Sequence, residues 1–312
     1  MRIFLLPSVV CLACLANIAF GDSVGTKLQA VSVNIKAPGK YGQGSQGSGT
    51  VILRQVDGKQ NAFVLTAAHV IRGLRDVSDA IVDGKEKKIV TYRDAQIVQE
   101  VGNNDNSRIV GDTRLDAKVI ATDYRRDIAL LRVRAVGTLK SSARFYDGPL
   151  PEVGTEVYHC GAPGGQDTGG TATLTAGIIS RTGVRIAEYG GAEHGIFDQT
   201  DTAALPGSSG GLLATRQDGH WIGMITLGLR GGDNFHWFVP IRNVREWSQE
   251  AKCEWLLKHD GNATEKAVGE IPLELSPPEV SGGNAAPSGT MRNVIRHTTI
   301  FNPFSRQITA SD

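Results

Sequence analysis

Residues 199–211 read Gln199-Thr-Asp-Thr-Ala-Ala-Leu-Pro-Gly-Ser-Ser-Gly-Gly211, and the apolar run Leu212-Leu-Ala-Thr215 follows. Glycine adopts left-handed backbone without steric cost, so Gly207-Ser-Ser-Gly-Gly211 predicts a tight turn centred on Ser209. Such a turn pushes a hydroxyl outward and aims backbone N–H groups at one point. A serine hydroxyl is a poor nucleophile until a base takes its proton. Two upstream blocks offer a base and an acid to orient it. In Leu65-Thr-Ala-Ala-His69-Val, His69 closes an apolar strand run. In Tyr124-Arg-Arg-Asp127-Ile-Ala-Leu-Leu131, Asp127 leads straight into an apolar strand. A carboxylate there is costly unless a partner neutralises it. The chain order is therefore His69, Asp127, Ser209.

That order separates two architectures. A Gly-x-Ser-x-Gly turn also occurs in α/β-hydrolases, where acid and histidine follow the serine, and Asp233 and His259 stand downstream here. The hydrolase turn opens a helix. Gly210 and Gly211 instead lead into Leu-Leu-Ala-Thr, a turn at Asp218-Gly219 and another strand, which argues against that reading. Two further patterns carry no function. Gly42-Gln-Gly-Ser-Gln-Gly47 matches a dinucleotide fingerprint but precedes a strand instead of opening a helix. Arg108-Ile-Val-Gly-Asp112 resembles a protease activation site but lies mid-chain.

Outward from the motifs, period-two segments dominate residues 27–240. One set is expected at 28–36, 49–54, 62–66, 86–101 (two strands or a bent one), 115–121 and 128–134. A second is expected at 155–160, 172–180, 195–200, 210–215, 221–228 and 235–239. Six and six without intervening helices predict an all-β protein of two six-stranded antiparallel barrels, about 28–136 and 154–240. Helical spacing of Val244, Trp247, Ala251, Trp255 and Leu256 predicts a C-terminal helix over 241–258. The 312 residues carry 33 Lys and Arg against 32 Asp and Glu, a net charge of +1. That balance gives no reason to expect a nucleic acid or an anionic membrane surface as partner. Glycine is abundant, and 19 of the 38 fall within residues 154–232, the proposed second barrel.

The ends differ from the body. Arg2 followed by the apolar run Ile3–Phe20 reads as an export signal over residues 1–21, with cleavage near Gly21 and a periplasmic or secreted product. No membrane anchor is expected. Residues 260–312 are rich in Pro, Gly and Ser and are expected to be disordered, leaving a catalytic domain over 22–259. Cys160 and Cys253, the two cysteines outside the signal, are open to two readings, one disulfide or two buried thiols. No metal site or cofactor is expected.

Taken together, five blocks resemble the trypsin-like serine proteases of the HtrA/Deg type. They are Gly47-Ser-Gly-Thr-Val-Ile52, Thr66-Ala-Ala-His69-Val, the segment from Ala117 through Asp127 to Leu131, Ala176-Gly-Ile-Ile-Ser180 and the Ser209 segment. The resemblance spans about residues 28–245 and implies a chymotrypsin-like double barrel with its site between the barrels. It implies Ser209 as nucleophile, His69 as general base and Asp127 as its orienting acid. It also implies an oxyanion hole from the amides of Gly207, Ser208 and Ser209. Ala203, Ala204, Leu205, Ile225, Thr226, Leu227 and Gly228 are the expected substrate pocket. Ala203 stands where enzymes that cut after Lys or Arg carry an acid, so cleavage after small or medium aliphatic residues is expected. Ser208 replaces the acid that pairs with a newly cut N-terminus, so activation of that kind is not expected. About 67 residues follow residue 245, which leaves no room for the PDZ domain typical of the family. Residues 72–114 form a long insertion between base and acid, expected as a loop or hairpin at the cleft rim. The expected activity is endopeptidase action on exposed or unfolded polypeptides, with oligomeric state open. The rivals are an idle binding protein on a protease scaffold and an esterase using the same three residues.

Overall fold

The computed structural model describes residues 23–39, 44–82, 84–102, 109–135, 137–164, 172–186, 196–229, 234–278 and 300–301. The export signal and most of the expected disordered tail lie outside the described residues.

The chain opens with helix α1, Val24–Ala30, capped by Ser23, whose side chain accepts from the Thr26 amide. The strand expected from residue 28 starts only at β1, Ser32–Pro38. Next come β2, Gly44–Val56, and β3, Lys59–Thr66, joined by a tight turn with Asp57 and Gly58 both at positive φ. A short helix α2, Ala68–Ile71, follows β3 directly. Then come β4, Arg75–Val82, β5, Lys85–Tyr92, β6, Ala95–Gly102, β7, Ile109–Asp123, and β8, Ile128–Val133. Strands β1, β6, β7, β8, β3 and β2 pair in that order, and β1 pairs with β2 to close the ring. Segment 86–101, read as two strands or a bent one, is two strands. Its first part, β5, pairs with β4 as a separate hairpin, and only β6 joins the barrel. Val77, Ile81 and Ile89 are exposed on that hairpin, so its apolar alternation imitates a barrel strand without burying a face.

The second barrel is built from β9, Glu156–Gly161, β10, Thr173–Arg185, β11, Ile196–Thr200, β12, Leu212–Thr215, β13, Trp221–Leu229, and β14, His236–Pro240. The order β12-β9-β10-β11-β14-β13 is closed by a β12–β13 pairing. Closed rings leave no free sheet edge along their full length, which suits an antiparallel protein of this size. One continuous core joins the barrels, including Phe63, Leu65 and Leu131 from the first and Leu212, Trp221 and Met224 from the second.

Helix α3, Ile241–Glu250, buries Ile241, Val244 and Trp247 at helical spacing. It stops well short of residue 258. Lys252 takes φ 57°, and the amides of Lys252 and Cys253 return to Gln249 O at 3.1 Å and Ser248 O at 2.8 Å. That pattern is a left-handed helix stop that periodicity cannot reveal. The chain then turns back over the first barrel. Strand β15, Asn262–Ala263, runs parallel to β2, helix α4 spans Glu265–Gly269, and strand β16, Glu274–Ser276, runs parallel to β7. Residues 260–278, expected to be disordered from composition, are therefore an ordered strap. Its apolar residues Val268 and Ile271 are both buried, which the Pro-weighted composition masks. Strand β17, Ile300–Phe301, completes the set. Cys160 and Cys253 are both free and buried. Burial pushes each thiol up to about 12, which keeps it protonated and inert. Among the described residues no helix is long and apolar enough to cross a membrane.

Candidate active site

His69 lies in α2, immediately after β3 delivers the chain to the barrel edge. Its backbone N–H donates to Asp127 Oδ1 at 2.9 Å, and its Nδ1 meets Asp127 Oδ2 at 2.8 Å. One carboxylate thus holds both the main chain and the ring of the histidine. Asp127 is buried, with 2% of its side chain exposed against 11% for His69. Its backbone adopts φ 57°, a left-handed conformation that aspartate tolerates better than most residues. The turn before it is capped by Asp123, whose Oδ1 accepts from the amides of Arg125 at 3.0 Å and Arg126 at 3.2 Å. Arg126 closes the turn from outside, donating to Asp123 Oδ2 at 2.7 Å and to both oxygens of Glu250 on α3.

Ser209 is fully buried at the head of the turn expected from Gly207 to Gly211. Gly207 and Gly210 have φ of 100° and 79°, where a side chain is strained. A Cβ on Gly210 would collide with Ser48 O and Thr66 Oγ1. The whole turn is pinned to the first barrel by Ser48. The Ser48 amide donates to Ser209 O at 2.6 Å, and its hydroxyl donates to Gly207 O at 2.7 Å. Ser48 Oγ also accepts from the Ala162 amide at 2.8 Å. The block Gly47-Ser-Gly49 therefore holds the Ser209 turn directly, a role that sequence reading did not assign. The Ser208 amide donates to Leu205 O at 2.9 Å inside the turn, so it is already engaged.

Thr226 links Asp127 and Ser209. Its hydroxyl donates to Asp127 Oδ2, and its carbonyl accepts from Ser209 Oγ at 3.0 Å. The sequence places Thr226 among the pocket residues. Its side chain instead completes the Asp127 carboxylate. The other expected pocket residues fall into two groups. Ile225 and Leu227 are buried in the barrel core, whereas Ala203 and Leu205 are exposed, Leu205 by 62%. Ala204 packs partly buried against the small cluster of Ile225 and Phe238. Gly228 faces the imidazole of His236, whose Cδ2 would lie 2.8 Å from an added Cβ. His236 stands beside the expected pocket only through the β13–β14 pairing Gly228↔His236, so no local motif could have flagged it. His159 is another buried histidine that sequence reading left without a role. Its Nδ1 meets Leu212 O at 3.0 Å, and its Cε1 would lie 2.7 Å from a Cβ on Gly211. Burial holds its pKa down to about 4, against the pull of the Leu212 carbonyl, so the ring beneath the nucleophile turn is neutral.

The sequence profile of the trypsin-like peptidase domain matches residues 47–224, more than half of the chain. The chain belongs to the trypsin-like peptidase family. A putative serine protease HhoA of Synechocystis sp. is 29% identical over 201 residues, which is 64% of this chain and 41% of that protein. A probable periplasmic DegP-like serine endoprotease of Ectopseudomonas mendocina is 30% identical over 172 residues, 54% of this chain and 33% of that protein. The chain thus spans less than half the length of either relative. The solved structure of the HtrA-type protease AlgW with tripeptide superposes with a TM-score of 0.51 at 22% identity, covering 76% of this chain and 63% of that one. At that identity the likeness concerns the fold. Within this trypsin-like peptidase all five blocks of the sequence reading fall in or beside the two barrels.

Proposed function

We propose that this trypsin-like peptidase is a serine endopeptidase. Ser209 attacks the scissile carbonyl, His69 takes the hydroxyl proton and passes it to the leaving amine, and Asp127 fixes the ring. Water then hydrolyses the acyl-enzyme with His69 as base again. The observation that carries this reading is the 2.8 Å contact of His69 Nδ1 with Asp127 Oδ2. It fixes the tautomer with Nδ1 protonated and leaves Nε2 as the basic atom. For attack, Ser209 Oγ must leave the Thr226 carbonyl and turn to the imidazole. The developing oxyanion is received by the amides of Gly207 and Ser209, since the Ser208 amide is engaged with Leu205.

Cleavage after small or medium aliphatic residues is part of the same proposal. Its support is Ala203 and Ala204, which offer no charge to a basic side chain entering the site. Polypeptides with exposed segments are the proposed substrates. An exported location is proposed from the apolar N-terminal run and from the periplasmic relative.

Labelling with a fluorophosphonate tests the nucleophile. The wild type is expected to label once, and Ser209→Ala not at all. An unlabelled wild type would favour the idle binding scaffold. Digestion of a peptide library then separates protease from esterase, and efficient cleavage after Lys or Arg would remove the aliphatic preference.

A further inference from the structure

The turn that carries Asp127 and the end of β7 make three contacts with the C-terminal end of the chain. Arg126 pairs with Glu250 of α3, as described. The amide of Thr122 donates to Leu273 O at 2.9 Å and that of Tyr124 to Ser276 O at 3.0 Å, so the strap continues β7 up to the edge of the turn. The third contact is a side-chain buckle. Glu274 receives Arg75 Nε at 2.6 Å and Arg75 Nη2 at 3.0 Å, a two-point pairing. The Tyr92 hydroxyl donates to Glu274 Oε1 at 2.5 Å, and Tyr92 in turn sits 3.3 Å from both the Tyr124 hydroxyl and Thr122 Oγ1. Only 12% of the Glu274 side chain is exposed. Tyr124 opens the turn that ends at Asp127.

We propose that Glu274 is a positioning residue for Asp127, and that the strap of residues 260–276 is a brace holding the acid of the site in register with His69. This rests on the serine endopeptidase reading. The physical argument has two parts. Asp127 occupies left-handed backbone, which relaxes unless its surroundings fix it. The first barrel fixes it through His69 and the Asp123 caps and the second through Thr226, and the strap and α3 add the further contacts described above. The brace acts through Tyr124 and the end of β7 and does not touch the reacting atoms. It also ties the root of the β4–β5 hairpin, where Arg75 and Tyr92 face each other in register, to the same turn. Burial works to raise the Glu274 carboxyl, and the Arg75 and Tyr92 hydrogen bonds outweigh it, so the group is ionised at neutral pH.

The test uses the full chain with Glu274→Ala, Glu274→Gln and the milder Tyr92→Phe, which keeps the ring. Active-site titration with a fluorophosphonate counts the competent molecules, so loss through misfolding is separated from loss per site. Expected is a fall in kcat of about 10-fold to 100-fold for Glu274→Ala, on the scale that small misplacements cost, with KM little changed. A displaced Asp127 also supports the protonated imidazole less. The acid limb of kcat/KM is therefore expected to move to lower pH, and the low-field imidazole proton signal of the His69–Asp127 hydrogen bond to weaken. Glu274→Gln and Tyr92→Phe should show smaller shifts in the same direction. Unchanged kcat per titrated site, with an unmoved acid limb in Tyr92→Phe and in whichever Glu274 variants fold, would overturn the brace. A wild type that neither labels nor cleaves would instead overturn the endopeptidase reading. The proton signal would still report whether Glu274 governs the His69–Asp127 contact.

Discussion

In the first barrel Asp127 is held by charge and hydrogen bonds, whereas in the second barrel Ser209 is held by the absence of side chains. The acid sits in a turn fixed by Asp123, Arg126, Glu250 and the strap, with a non-glycine residue forced to φ 57°. The nucleophile sits in a turn where Gly207 and Gly210 permit the backbone and Gly211 admits the edge of His159. The first arrangement is electrostatic and responds to pH and salt. The second is steric and responds to volume. Ser48 and Thr226, one residue from each barrel, each bond the turn on the other side, so a defect on either side reaches the other.

The largest test is chemical and asks whether both sides serve one reaction. Ser209→Ala is expected to lower kcat by about 10⁶-fold and Asp127→Asn by about 10⁴-fold, with the double variant no worse than Ser209→Ala. Additive losses, measured as kcat/KM on one peptide, would mean that the two residues do not act as a unit.

The next test is structural. Gly210→Ala places a Cβ against the backbone of Ser48 and Ala67 in a left-handed conformation, and backbone cannot step aside. A loss above about 3 kcal/mol is expected, or failure to fold. Gly49→Ala in the first barrel meets mainly the side chains of Val64 at 2.5 Å and Ile35 at 2.8 Å. Those can shift, so a cost of about 1–3 kcal/mol is expected. Equal losses in urea unfolding would erase the steric distinction between the barrels.

Acid separates them by window, although both lose stability as pH falls. Buried His159 in the second barrel titrates near 4 when folded and near 6.5 when unfolded. Between those values the unfolded chain binds a proton that the folded chain refuses, so stability rises with pH and is lost as pH falls from about 6.5 to about 4. The full effect is on the order of 3 kcal/mol. In the first barrel the hydrogen bonds from Arg126 hold Glu250 below the usual carboxylate range, and Glu274 is held low as described. Their contributions persist until pH falls below ordinary carboxylate values, a lower window. His159→Asn, which can keep a donor to Leu212 O, is expected to flatten the upper window alone. Parallel losses of wild type and variant between pH 6.5 and 4.5 would show that His159 does not set that slope.

What could be read from the chain follows the same division. The Ser209 turn was legible because glycine spacing is local and steric. The His69 and Asp127 blocks were legible because each sits at the end or start of an apolar run. The double-barrel architecture followed from strand periodicity with the order of the motifs. The stretch between His69 and Asp127 was legible as a loop or hairpin, but the bounds of β4 and β5 and their separation from the barrel were not. In sequence the apolar residues of β5 run on into those of β6, and only the pairing separates them. The strap was not legible either. Its parallel pairing with β2 and β7 lies far away in sequence, and its prolines point to disorder. The Thr226 bond to Asp127 and the approach of His236 to Gly228 are likewise products of register between distant segments.

The smallest expected effect sharpens the electrostatic side of the comparison. The strap makes a second two-point pairing, Glu265 with Arg132 at 2.6 and 2.7 Å, of nearly the same geometry as Glu274 with Arg75. The surroundings differ. The Glu265 side chain is 56% exposed, so water and salt screen the pair. Glu265→Ala is therefore expected to cost less than about 1 kcal/mol in urea unfolding, shrinking further with added salt, and to leave kcat unchanged. Glu274 differs in burial and in its contact with the Tyr92–Tyr124 pair next to the Asp127 turn. If Glu265→Ala lowered kcat as much as Glu274→Ala does, the strap would act as a uniform clamp on the barrel. The special place of Glu274 would then be gone, although the strap would still matter. If only Glu274→Ala lowers it, burial and position make the difference, because the two carboxylates grip their arginines alike.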